Sequence, residues 1–303
     1  MSADEIAKLP RATTVFFFSV GPIEDHGPHL PVSLDLCEAD RLCVLSAEAL
    51  EKAMPQYIGV IMPKAALGIN SNTTRFALTV RAHVLRDWLV DACLSLSRAG
   101  FQTFVCWSGN VGPHQLTAIE EAGKIVRRKT GGGPVGSFKS LFAFAITRKW
   151  PAPAQLLSAA SPLVTKEEIR DSWFFPNPKE HGGATDTSVA LATVPQWVDP
   201  NFTTLDTIAR PARLRARSGY WGNPAQGSSE KGKQVLDERV HEFMPKFRAV
   251  LEGSSSRMIF RSWYSLIPTN KSFFYSWVIA VTIIALMVIW FYGMTAAFSF
   301  GGL

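Results

Sequence analysis

Short apolar runs alternate along the chain with longer stretches in which apolar residues recur at helical spacing. Apolar runs predict buried strands over Val15–Val20, Ile58–Met62 and Phe101–Trp107. Alternation predicts a further strand over Phe76–Ala82, and Pro134–Ala145 suits one strand or two. Helical spacing predicts helices over Leu36–Met54, Leu85–Ala99, Pro113–Lys129, Thr165–Asp171 and Ser228–Leu251. Strands that alternate with helices are typical of the α/β class, so we predict a mainly parallel sheet flanked by helices.

The C-terminal segment has a different pattern, because no charged side chain occurs from Ser272 to Leu303. Its most apolar part, Phe273–Tyr292, has aromatic residues at both ends, and about 20 helical residues span the roughly 30 Å of a bilayer interior. A buried core helix is the alternative, but such a helix normally carries a polar stripe. We therefore predict a domain at 1–252, a flexible linker at 253–271, and a transmembrane helix with a short far-side tail at 272–303.

Charge predicts the orientation of this anchor. The formal net charge of the chain is +6. The residues from 246 to 271, just before the apolar segment, contain five cations and one anion, Glu252, so their net charge is +5 − 1 = +4. These cations are Lys246, Arg248, Arg257, Arg261 and Lys271. The positive-inside rule then predicts a single-pass membrane protein whose main domain lies in the cytoplasm. The expected partners are the lipid bilayer, with its anionic headgroups, and other membrane protein subunits, but not nucleic acid.

Composition narrows the protein class. Hydrophobic residues make up 47% and charged residues 18%, which excludes intrinsic disorder, and a mean hydropathy of +0.09 excludes a polytopic membrane protein. The acidic, polar N-terminus is not a signal peptide. The four cysteines have no metal-type spacing, so we expect them to be small buried hydrophobes.

The densest group of chemically active residues is Gly21–Asp35, directly after a predicted strand. Glu24 and His26 are two residues apart and would point the same way on an extended backbone. Together with Asp35 they form a ligand set suited to Zn²⁺ or Mn²⁺. From these residues alone, a solvated polar loop remains the alternative interpretation.

Three motifs in this order resemble those of the creatininase (creatinine amidohydrolase) family. They are Glu24–Pro31 with Asp35, His181–Ser188, and Ser218–Pro224 followed by Glu230–Lys233. The resemblance covers residues from about 12 to 250. It implies a cytoplasmic α/β fold with a binuclear divalent-metal site that hydrolyses a cyclic or linear amide.

The resemblance also implies roles for individual residues. Glu24 would bind one metal ion, His26 would bind the other, and Asp35 would bridge them. His181 would transfer a proton to the leaving nitrogen. Asp186 takes the place of a family glutamate that helps to hold the water and the metal.

The chain departs from the family pattern in the turn Ser108–His114. The family histidine ligand falls on Asn110, and the glutamate ligand of creatininase falls on Gly112, which has no side chain. His114 could substitute as a ligand, or it could be an ordinary polar residue at the start of a helix. The segment Phe76–Thr79 also differs from the family's FPGT segment. We therefore expect no metal to be bound, or Zn or Mn if the site still functions.

These departures leave three functional hypotheses. The first is a catalytically degenerate, membrane-anchored subunit of a membrane protein complex, and small residues near the end of the apolar segment would allow helix packing there. The second is an active metal-dependent amidohydrolase or peptidase tethered to the membrane. The third is a metal-free ligand sensor with a pocket lined by Trp107, Trp173 and Phe174. Whether the chain forms a homo-oligomer or a monomer bound to other chains is left open.

Overall fold

A computed structural model describes residues 1–69, 75–131, 152–164, 180–209, 218–262, 264 and 271–300, the last range with side chains for 277–292. The chain divides into two units, Met1–Ser265 and Leu266–Leu303. The predicted elements Pro134–Ala145 and Thr165–Asp171, and the residues Trp173 and Phe174, lie outside the described residues.

A parallel sheet organises the first unit. Its described strands are β1 (Thr14–Val20), β2 (Ile23–Glu24), β3 (Ile58–Ile61), β4 (Ala77–Leu78), β5 (Thr103–Ser108) and β6 (Gln155–Ser158). Four of them form one sheet in the order β3-β1-β5-β6, and all of its neighbouring pairs are parallel. Strands β2 and β4 form a small antiparallel pair in which Glu24 lies opposite Ala77.

Helices cover the sheet on both faces. The described helices are α1 (Ala3–Lys8), α2 (Leu34–Ala53), α3 (Ala82–Arg98), α4 (Pro113–Thr130), α5 (Ala184–Thr193), α6 (Ser229–Leu251), α7 (Ser256–Ile259) and α8 (Lys271–Phe300). Of these, α2 and α6 pack on one face of the sheet, and α3 and α4 pack on the other. Alternate residues of β1 enter two separate core clusters, with Phe17 among side chains of α2 and α6 and Phe16 among those of α3 and α4. Both faces of the strand are therefore buried, and the predicted α/β architecture is confirmed.

Local differences from the sequence prediction have physical causes. The strand predicted at Phe76–Ala82 is reduced to Ala77–Leu78, and Phe76 and Leu78 are 53% and 57% exposed, so their alternation does not mark a core face. Helix α5 has few large apolar residues, and β6 has only four residues, so neither gave a clear periodic signal. Helix α2 begins at Leu34, which places Asp35 in its first turn.

The chain after α6 turns back onto the first unit. Gly253 has a φ of +105°, a left-handed conformation that suits glycine at the end of a helix. Phe260 and Tyr264 are then buried, and the Phe260 ring packs edge-on against Phe243 with centroids 5.8 Å apart. The domain limits at 252 and 271 stay a prediction, but this part of the predicted linker belongs to the first unit.

Helix α8 forms most of the second unit. It runs for 30 residues, and every side chain described in it, from Trp277 to Tyr292, is exposed. Within the part of the chain that the structure describes, no helix is long and apolar enough to cross a membrane. The transmembrane span stays a prediction.

Candidate metal site

Four buried side chains converge at the carboxyl-terminal edge of the parallel sheet. Glu24 follows β1 on the short strand β2, Asp35 lies in the first turn of α2, and Asn110 follows β5. His181 comes from far along the chain, just before α5, and is paired through its backbone with Trp221. Ligand sites in parallel α/β sheets gather at this edge.

Backbone contacts hold the loop Gly21–Asp35 in place. Glu24 N donates to Val32 O at 2.8 Å, and Asp25 N donates to Phe76 O at 2.9 Å. The turn after β5 passes so close to α2 that a Cβ on Gly109 would lie 2.2 Å from the Asp35 carbonyl oxygen. Only glycine allows this approach, so the turn after β5 and the first turn of α2 are fixed to each other through their backbones.

His26 is oriented by the residue two positions before it. Its Nδ1 lies 3.0 Å from the Glu24 carbonyl oxygen, which can only accept, so Nδ1 carries a proton. The other nitrogen, Nε2, faces the two carboxyl groups, 3.3 Å from Asp35 Oδ1 and 4.0 Å from Glu24 Oε1. A ligating histidine in proteins is oriented in the same manner, by a hydrogen bond from its second nitrogen.

The three groups shift one another's pKa values strongly. Burial, and then the charge of Asp35, raises the pKa of Glu24 to about 8. Burial opposes the charged form of His26, but the Asp35 carboxylate outweighs it and raises the pKa of His26 to about 10. Burial is likewise outweighed at Asp35, whose pKa is lowered by His26. The site therefore favours positive charge around the Asp35 carboxylate.

His181 completes the cluster as a neutral imidazole. Its ring stacks on that of His26 with centroids 4.4 Å apart, and its Nε2 lies 2.7 Å from the Asp25 carbonyl oxygen. Burial, and then the charge of His26, lowers the pKa of His181 to about 4. Asp186 lies one turn into α5, where its Oδ2 accepts from Gly182 N at 2.6 Å and burial raises its pKa to about 6.

These residues fit one divalent cation. Glu24, His26 and His181 each offer a ligand atom, and these atoms lie within 4.8 Å of one another. Two buried carboxylate oxygens, Glu24 Oε2 and Asp35 Oδ2, receive no hydrogen bond from a described donor group. Buried oxygens of this kind are costly unless a cation or donor satisfies them, and the carboxylate–imidazole set suits Zn²⁺ or Mn²⁺.

The two positions expected to hold a second ion present no side-chain lone pair to Glu24 among the described contacts. Gly112 N–H donates to Asn110 Oδ1 at 2.9 Å, and a backbone N–H can only donate, so the other end of the amide must be Nδ2. That Nδ2 donates to Glu24 Oε1 at 3.2 Å. The amide thus presents N–H groups, not a lone pair, to Glu24. Gly112 contributes no side chain, and His114 is exposed on α4 and outside the metal-ligand cluster found among the described residues.

Some interactions around the site could not be read from the sequence. Asp25 lies within the first motif, and Arg75 reaches it with Nε 2.8 Å from Asp25 Oδ2. His29 Nε2 lies 2.9 Å from Thr187 Oγ1, which connects the first motif to the second. Motif spacing groups residues that are near in sequence, and these contacts join segments 50 and 158 positions apart.

Other sequence predictions concern residues near the site. Trp107 is fully buried in the core, and its indole Nε1 donates to Ser46 Oγ at 2.9 Å, so it does not line an open pocket. The four cysteines are buried and unpaired, as the sequence predicted.

Comparison with known proteins agrees with the α/β fold described above. The creatininase family, described as creatinine amidohydrolase, matches residues 1–246. A solved structure of creatinine amidohydrolase (creatininase) is 18% identical, covers 84% of this chain and 97% of its own, and has a TM-score of 0.59.

Two further creatininase structures are similar. One described as "Creatininase Mn" is 18% identical, covers 83% of this chain and 96% of its own, and has a TM-score of 0.58. A creatininase variant of "Zn-Zn type" gives the same identity and coverage with a TM-score of 0.57. No curated protein sequence matches the chain. The family match spans most of the sequence, and we conclude that this chain belongs to the creatininase family.

Proposed function

We propose that this chain is a membrane-anchored creatininase-family protein that binds at most one divalent cation and serves as an accessory subunit of a membrane complex. The observation that carries the loss of the second ion is the orientation of Asn110, whose N–H₂ end faces Glu24. An imidazole at this position would offer a lone pair where the amide offers a proton.

The chemistry of the remaining residues supports this limit. A pair of bound divalent ions polarises a substrate carbonyl and makes bound water nucleophilic at neutral pH. This chain retains Glu24, His26, Asp35, His181 and Asp186, but neither Asn110 nor Gly112 provides the further ligands that the family resemblance requires. A single ion held by carboxylates and imidazole is what the remaining donor set supports.

Metal stoichiometry tests this part of the proposal. Purified full-length chain, dialysed against Zn²⁺ and then against buffer, should retain no more than one equivalent by elemental analysis. The double variant Asn110→His with Gly112→Glu should retain a second equivalent. Gly112 has φ −59° and ψ 151°, a backbone conformation open to glutamate, so the variant should fold. Val111→His, an imidazole at an exposed neighbouring position, should gain none. Two equivalents in the unmodified chain would refute the proposal.

A second candidate function is a one-metal amidohydrolase. It is favoured by the convergence of Glu24, His26 and His181 and by the neutral state of the His181 imidazole, which can accept a proton. Full-length protein loaded with Zn²⁺ or Mn²⁺ would be tested against cyclic and linear amides. Metal-dependent turnover that is lost in His181→Ala but kept in His114→Ala would favour this function over the accessory role.

Helix α8 supports the membrane anchor. At 1.5 Å per residue its 30 residues extend about 45 Å, more than a bilayer interior requires. Its side chains are described for 16 residues, Trp277 to Tyr292, where large apolar side chains are exposed on all sides, and uncharged sequence continues on either side of them from Ser272 to Phe300. A helix that is apolar all round is suited to lipid.

Membrane extraction and topology can be measured directly. After expression, the full chain should stay in the membrane fraction through an alkaline carbonate wash. Protease added to inside-out vesicles should digest the domain at 1–252, because the cations before α8 predict a cytoplasmic orientation. Release by carbonate would contradict the anchor, and protection in inside-out vesicles would contradict the orientation.

The accessory role predicts stable partners. Affinity purification of the full chain in mild detergent should recover other membrane proteins in fixed ratio. A protein that purifies alone and monodisperse from the same membranes would contradict the subunit role but leave the anchor and the metal site as proposed.

A further inference from the structure

A basic face lies far from the metal site, on the second half of α4 and the segment that follows α6. We use this name for six residues: Lys124, Arg127, Arg128, Lys129, Arg257 and Arg261. Five of them are exposed, and Arg127 is half-buried. The two groups are about 130 positions apart in the sequence, so only the fold brings them together.

Two hydrogen bonds align the segment 256–264 along α4. Arg127 Nη2 donates to Ser256 Oγ at 2.7 Å, and Ser262 N donates to Glu120 Oε1 at 2.8 Å. Residues seven apart lie on one side of a helix, so the segment runs antiparallel beside α4 between these points. This places Arg257 near Arg127, and Arg261 near Lys124.

The segment is held by the core as well as by these bonds. Phe260 and Tyr264 are 6% and 2% exposed. Ser161 Oγ also donates to Glu120 Oε1, at 2.7 Å, so the carboxyl that binds Ser262 N is itself buried in a polar network. The cations of the segment are therefore carried on a fixed part of the domain.

Like charges repel one another across this face. Partial burial, and then the charge of Arg261, lowers the pKa of Lys124. Burial, and then the charge of Arg257, lowers the pKa of Arg127. Such crowding of cations is unfavourable in the isolated domain and would be relieved by anions.

Acidic residues in this region have other partners. Glu120 is buried and accepts from Ser161 and Ser262. Glu121 lies 3.7 Å from Arg86, and Glu252 lies 2.7 Å from Arg248. The charges of Glu120 and Glu121 raise the pKa of Lys124, but each has a smaller effect than the burial of Lys124, which lowers it. Among the described residues, the six cations outnumber these three carboxylates, so the described face has a net positive charge.

The segment that carries Arg257 and Arg261 is followed in the sequence, after a short stretch, by α8. Six residues lie between Tyr264 and Lys271, and the seven peptide units that join the two residues span at most about 25 Å when fully extended. We propose that the basic face binds the anionic phospholipid headgroups of the membrane into which α8 inserts. This inference rests on the anchor in the proposed function, and it goes beyond that anchor by giving the folded domain its own contact with lipid.

Fluorescence quenching of the full chain in vesicles can test the contact. A dye is attached to Ser254→Cys, an exposed position two residues before Ser256, while the native cysteines are buried and react poorly. The vesicles contain phosphatidylcholine with nitroxide-labelled headgroups, with or without phosphatidylserine. We expect at least about twofold stronger quenching with phosphatidylserine. We expect this difference to be lost in high salt, because added salt shortens the range of the electrostatic attraction, which is about 8 Å at physiological ionic strength.

Charge reversal identifies the residues responsible. The triple variant Lys124→Glu, Arg128→Glu and Lys129→Glu should lose the phosphatidylserine effect. The control reverses three exposed cations elsewhere, as Lys52→Glu, Lys231→Glu and Lys233→Glu, and should keep it. Thermal unfolding of both variants checks that each is folded.

The outcomes separate this inference from the anchor. A chain that resists carbonate but shows no phosphatidylserine effect overturns the headgroup contact alone, and the face would then suit an acidic protein partner. A chain that carbonate releases overturns the anchor, and the inference fails with it. An equal loss of quenching in the control variant would also overturn the assignment, because overall charge and not the basic face would then be responsible.

Discussion

The two halves of the candidate metal site differ in how their polar atoms are satisfied. On the loop Gly21–Asp35, the oxygens Glu24 Oε2 and Asp35 Oδ2 are buried and receive no hydrogen bond from a described donor group. His26 presents a ring nitrogen to the same space. This half has acceptors in excess, which a cation can satisfy.

The turn after β5 satisfies its own polar groups. Gly112 N donates to Asn110 Oδ1, and Ser108 Oγ donates to the Asn110 carbonyl oxygen at 2.7 Å. Gln115 Nε2 in turn donates to Ser108 Oγ at 3.1 Å. Among the described groups of this turn, it is the Asn110 amide N–H₂ that faces Glu24. The first half therefore presents acceptors that a cation can satisfy, and the described part of the second half presents a donor.

Removal of a carboxylate from the first half should have the largest effect. We expect Glu24→Gln to weaken Zn²⁺ binding by more than the 10–100-fold that follows loss of an outer hydrogen-bond partner, because a direct ligand is lost (roughly 100-fold or more). Calorimetry with a competing chelator measures this change. Glu230→Gln, an exposed residue in the first turn of α6, is the control. Unchanged affinity in Glu24→Gln would contradict the assignment of this half.

A side chain at the junction of the two halves should destabilise the fold. A Cβ at Gly109 would lie 2.2 Å from Asp35 O and 2.7 Å from Asp35 Cα. These are backbone atoms, which cannot move away without distorting the start of α2. We expect Gly109→Ala to lower the free energy of unfolding by about 3 kcal/mol. Gly112→Ala, in the same turn at φ −59°, should change it by less than about 1 kcal/mol. Equal losses in urea denaturation would mean that the close approach is not what matters.

Loss of the Asp25 carboxylate should have a smaller effect on stability. Asp25 is buried and accepts from Arg75 and from Gly27 N at 3.0 Å, so Asp25→Ala leaves a buried N–H without its acceptor. We expect a loss of about 1–3 kcal/mol in the free energy of unfolding. The matched control is Asp87→Ala, which removes a carboxylate that is 55% exposed and pairs with Arg86, and which should cost about 0–1 kcal/mol. A loss no greater than the control's would contradict the role of Asp25 in holding the loop.

A charge added to the second half should give a modest gain in metal binding. In Asn110→Asp, one carboxylate oxygen can still accept from Gly112 N while the other faces Glu24 as an acceptor. We expect Zn²⁺ affinity to rise on the order of tenfold, equivalent to about 1.4 kcal/mol. Val111→Asp, which adds the same charge at an exposed position, should raise it less. Weaker binding in Asn110→Asp would show that the amide helps the site to hold its ion.

The sequence predicted the parallel sheet and the first half of the site because their signals are local. The apolar run at Val15–Val20 marks a strand buried on both faces, and the motif that begins at Glu24 follows it within a few residues. Helix α5 was missed because small residues fill its buried side and give little contrast. For His114 the sequence left two interpretations open, a substitute ligand or a polar residue at the start of a helix. The structure places it exposed at the start of α4.

The sequence could not reveal features that depend on distant packing. It showed that asparagine replaces histidine at position 110, but not which end of the amide faces Glu24, since that depends on Gly112 N. It showed that Arg257 and Arg261 precede α8, but not that Lys124 and Arg127 lie beside them in the fold. The roles of the site residues stay predictions until metal binding is measured.

Anomalous X-ray scattering at the zinc edge, from crystals of the full chain soaked in Zn²⁺, tests the central claim most directly. We expect one peak, within bonding distance of Glu24 and His26, and no second peak beside Asn110 and Gly112. Two peaks bridged by Asp35 would contradict it and would identify the chain as a two-metal member of its family.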